Sequence, residues 1–235
     1  MSFLQLAPEL LGLDTIENYI EDDWEDNSLT NRTSPEDGPY AHSNANEAGD
    51  VLIGRYRPVW NTVNISNTVV QNNRVEMTVP TNSNGGIYNS FTTTSEFTTG
   101  SWSVDLQLDQ TESGTGSHIF FYGLMTDGSR ALSSGNSICI QSSTESDVGL
   151  RKIESGSPTY IISMTSTNTS LTNQLTFTVA RDSYGNYELL EDGSSRGTTT
   201  DSFVPPLVEQ SIMTYQSNQS EPPEVTFYVD NLAVK

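Results

Sequence analysis

Apolar and polar residues alternate with a period of two over most of the chain, in short runs set apart by clusters of Gly, Asn, Ser and Thr. That period belongs to strands that bury one face. The clearest run lies between Gln174 and Gly193. Leu175, Phe177 and Val179 fall on one side, and Thr176, Thr178 and Ala180 on the other. Asp182 to Asn186 then supplies residues that tolerate positive φ, and Tyr187, Leu189 and Glu191 alternate again before Asp192-Gly193. The pattern predicts a β-hairpin. By the same reading, strands are expected near Val51–Arg57, Arg74–Val79, Gly86–Phe91, Ser101–Asp109, His118–Thr126 and Ser137–Gln141. Further runs fall at Val148–Ile153, Thr159–Met164, Gln174–Arg181, Asn186–Glu191, Val208–Gln216 and Glu224–Val234. His118 to Tyr122 is apolar on both sides, which predicts a central strand with both faces covered or with one face lining a groove. About a dozen strands without a helical interlude predict an all-β sandwich of two antiparallel sheets.

Residues 1–20 follow a different rule. Phe3, Leu4, Leu6, Leu10, Leu11 and Leu13 recur at mixed three- and four-residue spacings, interrupted by Pro8 and Gly12. This predicts a short, partly helical arm ahead of a β domain spanning 21–235. Such an arm either covers the edge of its own sheet or docks onto another protein. Its leucine content favours docking, with those six residues as the contact.

Composition narrows the partners. The 235 residues carry a net charge of −20, and the imbalance comes from missing lysine: Lys152 and Lys235 stand against eight arginines. Such a surface repels nucleic acid and anionic membrane, so neither is expected as a partner. No apolar run is long enough for membrane insertion. Scarce lysine resembles proteins of high-salt organisms, where screening tames self-repulsion; the alternative is an ordinary acidic extracellular protein. Cys139 is alone in Ser137–Gln141, which predicts a buried structural thiol rather than a disulfide or a cysteine metal site. The first residues lack a basic region and a small-residue cleavage site, so no secretory signal is expected.

Three stretches carry a family resemblance. The acidic-aromatic Asp22-Asp23-Trp24-Glu25-Asp26, the Arg181 to Leu189 hairpin followed by Asp192-Gly193, and the closing Tyr228 to Val234 resemble the concanavalin A-like lectin/glucanase superfamily, the LamG-like jelly rolls. The resemblance covers about 22–235 and implies a two-sheet antiparallel jelly-roll sandwich. It also implies a structural Ca2+ where first and last strands meet, with Asp22, Asp23, Glu25 and Asp230 as candidate ligands; the alternative is a solvated acidic loop. Glycosidases of the superfamily carry E-x-D-x-x-E on one strand, so that one carboxylate attacks while another donates a proton. Asp105 and Asp109 lack the glutamates, and Glu188, Glu191 and Asp192 straddle a turn, so the expectation is a protein that is not an enzyme. Sugar binding asks for exposed rings with polar groups nearby, and the candidates are Trp60, Tyr88, Tyr122 and Tyr160, with Tyr215 beside them.

Together, an adhesive β domain, a greasy arm and no secretory signal resemble virion surface proteins of viruses that infect haloarchaea. The expectation is a non-enzymatic virion structural protein, a capsid turret, decoration or tail fibre, located on the virion surface or otherwise extracellular. Its arm would meet other virion proteins or copies of itself, and its domain a surface glycan. The alternative is a carbohydrate-binding, lectin-like module of a cell-surface or secreted protein.

Overall fold

A computed structural model of the chain describes residues 19–22, 24, 55–56, 60–64, 67–80, 86–95, 97–110, 118–128, 135–144, 147–167, 171–206, 208–216 and 224–234. Among these residues there is no helix, and none long and apolar enough to cross a membrane. In chain order the strands are β1 (Tyr19–Asp22), β2 (Arg55–Tyr56), β3 (Asn61–Asn64), β4 (Thr68–Gln71), β5 (Arg74–Val79), β6 (Gly86–Thr94), β7 (Gly100–Gln110) and β8 (His118–Thr126). They continue as β9 (Ser137–Ser143), β10 (Asp147–Glu154), β11 (Ser157–Ser166), β12 (Leu175–Arg181), β13 (Asn186–Glu191), β14 (Ser194–Thr200), β15 (Glu209–Gln216) and β16 (Val225–Val234).

The strands form the expected two-sheet jelly-roll sandwich. A nine-stranded sheet runs β14-β13-β12-β7-β16-β1-β2, with β5 also paired to β16 and β4 to β5. A seven-stranded sheet runs β11-β10-β9-β8-β15-β6-β3. All pairings are antiparallel except β1 with β2. The alternation read from sequence sets the inner faces. Trp102, Val104 and Leu106 of β7, Phe177 and Val179 of β12, and Phe227 and Val229 of β16 pack with Phe120 and Tyr122 of β8, Ile138 and Ile140 of β9, and Ile212 of β15. Phe120 and Phe227 join the sheets, with ring centres 5.9 Å apart. Each such side chain contributes about 2–3 kcal/mol relative to exposure.

Polar ties close both margins of the sandwich. On the β14 side, Lys152 Nζ donates to Asp201 Oδ2 at 2.7 Å, and Arg196 donates to Thr165 Oγ1 at 2.8 Å and to the Ser166 carbonyl. On the β5 side, Asn89 Nδ2 donates to the Thr78 carbonyl at 3.2 Å and to Thr214 Oγ1 at 2.9 Å, while Thr68 Oγ1 donates to Asn89 Oδ1 at 2.7 Å. Asn89 thus links β4 and β5 of one sheet to β6 and β15 of the other.

Four strands, β1, β3, β4 and β14, lie outside the runs expected from sequence. Ile20, grouped with the arm by sequence, belongs to β1 and pairs with Val234, because the sheet edge at β16 offers backbone partners down to its last residues. Strands β3, β4 and β14 were not predicted; β4 and β14 carry no buried position, and β14, SSRGTTT, is exposed or half-buried throughout. The central strand is as expected. β8 is the middle strand of its sheet and buried on both faces except at Ile119.

Candidate functional site

The two sheets differ on the faces they turn away from the core. On the nine-stranded sheet, outward positions of β12 and β16 are half-buried or exposed. On the seven-stranded sheet, the outer face carries a second apolar cluster of buried Phe121, Cys139 and Met213, with half-buried Ile119 and Tyr215 packed against it. Burial here, on a face opposite the main core, makes this sheet's outer face the candidate site.

Register places the components. One row crosses the sheet as Tyr160, Arg151, Cys139, Gly123, Ser211 and Thr92, each paired with the next. Gly123 contributes no side chain, so the row is lowest at the middle strand. The next row is Gly149, Gln141, Phe121, Met213 and Ser90. At the β10–β11 end the polar groups form one chain. Arg151 Nη1 donates to Gln141 Oε1 at 2.9 Å, and Gln141 Nε2 donates to the Tyr160 hydroxyl at 2.7 Å. The Arg151 guanidinium carbon lies 5.4 Å from the centre of the Phe121 ring. Burial pushes the Cys139 thiol up to about 12, although the Arg151 charge pulls it down, so it stays a neutral thiol. Thr92 Oγ1 donates to Glu209 Oε2 at 3.1 Å toward the other margin. Asp147 sits on the same face at the opposite strand ends, roughly 20 Å or more from Glu209 by strand rise and spacing, too far for the two to bracket one glycosidic bond.

The sequence-derived candidates separate on this geometry. Tyr160 is 44% exposed on the outer face, and Tyr215 is half-buried on it. Trp60 is 1% exposed and stacks edge-on against Phe91, ring centres 5.1 Å apart; its ring is a core side chain and is not presented to a sugar. Tyr122 is fully buried on the inner face, its hydroxyl donating to Gln210 Oε1 at 3.2 Å, and burial raises its pKa far above the ordinary value. Both stacking assignments are corrected, because ring type does not report which face a strand residue occupies. Tyr88 lies in β6, its side chain outside the described residues. So do Asp23, Glu25, the side chain of Asp22, and the arm residues Phe3, Leu4, Leu6, Leu10, Leu11 and Leu13. First and last strands do lie together, with Asp22 paired to Leu232. Asp230 stands opposite Asp105 on β7, and its Oδ1 accepts from the Asn231 amide at 2.8 Å. Asp105 is saturated by Thr176, Gln174 and Asn231. No group of three or more His, Cys, Asp and Glu able to hold a metal gathers among the described residues, so the described part of the Ca2+ set does not by itself make a site.

Sequence reasoning missed Arg151, Gln141 and Phe121. Their signal is faint: an arginine at an outward position of a strand in a chain nearly without lysine. A shallow hollow of about 440 Å3 on the other sheet, lined in part by Asp182, Asn186, Glu188 and Thr198, is a weaker candidate. Asp182 already accepts from Tyr184 and twice from Asn186 within its own turn.

Neither a protein-family profile nor a curated protein sequence matches the chain. Solved structures do. A prokaryotic β-1,3-1,4-glucanase (lichenase) derived from a mouse hindgut metagenome superposes with a TM-score of 0.61 at 8% identity, covering 93% of this chain and 99% of that one. LamAcat from Zobellia galactanivorans gives 0.56 at 11% identity over 93% and 98%. Bacillus licheniformis β-glucanase gives 0.55 at 9% over 84% and 96%. The fold is therefore the concanavalin A-like jelly roll of glucanases. The expectation of a chain that is not an enzyme is corrected: it rested on the missing E-x-D-x-x-E carboxylates alone, whereas the solved structures that share the fold are glucanases.

Proposed function

We propose that this chain is a carbohydrate-recognising jelly-roll protein that holds a glycan on the outer face of its seven-stranded sheet. The observation that carries the reading is the Tyr160–Gln141–Arg151 chain beside Phe121. A sugar ring offers an apolar face and a fringe of hydroxyls; it is held by an exposed aromatic ring flanked by amide, guanidinium and hydroxyl groups. Tyr160 supplies the exposed ring and half-buried Arg151 the donors beside it, with buried Gln141 holding the two in place. The superposition on glucanases over 84–93% of this chain supports the choice of carbohydrate as ligand class. In the same reading, the arm of residues 1–20 tethers the domain to a larger assembly, such as a virion surface.

A glycan microarray with wild-type protein and Tyr160→Ala tests the reading. The expected outcome is at least one glycan bound by the wild type and weakened about tenfold or more by the substitution, with an unchanged melting temperature. Chromatography of the bound glycan after long incubation reports whether it is cleaved. Binding that ignores substitutions on this face, or no binding across the array, overturns the proposal.

A further inference from the structure

We propose that this face selects a glycan bearing an isolated acidic group, a uronate carboxylate or a sulfate ester, which docks on the Arg151 guanidinium. The inference rests on the glycan reading above and adds the chemical class of the ligand.

Three of the other described cations are paired with carboxylates. Lys152 pairs with Asp201 and Glu154, Arg74 with Glu76, and Arg196 with Glu191. Arg181 donates to the Thr98 carbonyl. Like Arg181, Arg151 has no carboxylate partner among the described residues; unlike the buried Arg181, it stands half-buried on the outer face of the seven-stranded sheet. It engages Gln141 through Nη1 and lies over Phe121, and among the described residues its other side-chain N–H groups meet no acceptor. A guanidinium has five N–H donors, so most of the fork faces outward. In a chain of net charge −20 carboxylates are plentiful, yet this half-buried cation lacks one. Taking a charge partly out of water costs free energy unless it is paired, and an amide oxygen with an aromatic face offsets only part of that cost.

The neighbours point the same way. The Tyr160 hydroxyl accepts from Gln141 Nε2, which leaves its own proton to be donated outward. Cys139, directly opposite Arg151 in register, remains a neutral thiol and does not cancel the charge. The patch presents donors and positive charge, so its ligand must be rich in acceptors and negative. Carboxylate and sulfate oxygens match the planar fork two at a time. One cation matches one acidic group. A continuous polyanion is repelled by the rest of the surface, whereas a single acidic group touches Arg151 within the roughly 8 Å over which charges act at physiological salt.

Isothermal titration of the full chain with two matched pairs tests this. One pair is a xylo-oligosaccharide carrying a single glucuronic acid and its acid-free counterpart; the other is a singly sulfated galactan disaccharide and its desulfated form. Wild type, Arg151→Lys, Arg151→Gln and Tyr160→Phe are compared, with thermal melting of each as a fold control. The acidic member of one pair is expected to bind the wild type about tenfold or more tighter than its neutral partner. That advantage disappears in Arg151→Gln, survives only in part in Arg151→Lys, and shrinks as salt rises from about 0.1 to about 1 M. Which pair responds separates carboxylate from sulfate. Equal binding of acidic and neutral members, or an advantage that persists in Arg151→Gln, overturns the inference and leaves the glycan face standing. Failure of every glycan to bind overturns both. Should Arg151→Gln not fold, the salt dependence of the wild type and the loss in Tyr160→Phe decide the question.

Discussion

Lys152 Nζ and Asp201 Oδ2 lie 2.7 Å apart and join the two sheets of the sandwich at one margin. Lys152 comes from β10, whereas Asp201 directly follows β14. Both side chains are largely buried, so this is not a solvent-screened surface pair.

Its loss should show a bell-shaped dependence on pH. The hydrogen bond from Lys152 to Asp201 raises the lysine pKa above its ordinary 10.5 against a smaller opposing effect of burial. Burial alone would raise the Asp201 carboxyl, but hydrogen bonds from Lys152 and the Phe203 amide outweigh it and leave the pKa below 3.8. The lysine contribution is complete below its unfolded value and vanishes as pH rises through the raised folded one. The aspartate contribution is complete above its unfolded value and vanishes as pH falls through the lowered folded one. Lys152→Met should therefore cost about 1–3 kcal/mol near neutrality, with the gap to wild type narrowing below about pH 4 and above about pH 10. Urea melts at several pH values measure it; a gap independent of pH would contradict the pairing.

Gly185→Ala should destabilise by about 2 kcal/mol or more. Gly185 sits in the β12–β13 turn at φ +82, and an added Cβ would lie 2.5 Å from the Asp201 carbonyl oxygen. Both the turn and the 201 segment would have to shift, since the Asp201 amide donates to the Gly185 carbonyl at 2.8 Å. Chemical denaturation of the variant reads the effect directly.

Trp60→Ala should cost about 3–5 kcal/mol of stability, as expected for a large ring removed from a packed core. Because the ring stacks on Phe91 rather than at the surface, a stabilised background carrying the substitution should bind glycan like its parent. A selective loss of binding without loss of stability would restore Trp60 to the ligand site.

Asp105→Ala should cost about 2–4 kcal/mol. The carboxylate is 9% exposed and accepts from Thr176 Oγ1 at 2.5 Å, Gln174 Nε2 at 2.7 Å and Asn231 Nδ2 at 2.9 Å. Its removal leaves three donors, two at the start of β12 and one on β16, without their acceptor. Differential scanning calorimetry of the variant against wild type provides the number.

The architecture was legible wherever a strand must hide one side. Val104 and Leu106 of β7, or Val225 and Phe227 of β16, announce their faces because the polar residues between them cannot be buried cheaply. β14 was invisible for the opposite reason: at the sheet edge, with Thr198, Thr199 and Thr200 in or near water, nothing requires alternation. The site was less legible than the fold. Tyr160 was singled out by ring type alone, and its ring is exposed on the outer face. Tyr122 was misassigned because β8 is apolar on both sides, so its sequence does not reveal which parity faces the core. Gln141 and Arg151 come from different strands and are brought into contact by the β9–β10 register, where Arg151 pairs with Cys139 and Gly149 with Gln141. No local pattern encodes that adjacency.

Asn89 carries a consequence for how the two layers are aligned. Its amide meets Thr78, Thr214 and Thr68, and along β5 the threonine is flanked by core residues Met77 and Val79. A slip of one position between the layers would press a bare amide against hydrocarbon, a mismatch that no neighbouring step relieves. The side chain thus serves as a detent: the layers click into a single setting, and the outward rows on β6 and β15 inherit that setting however freely their residues are exchanged.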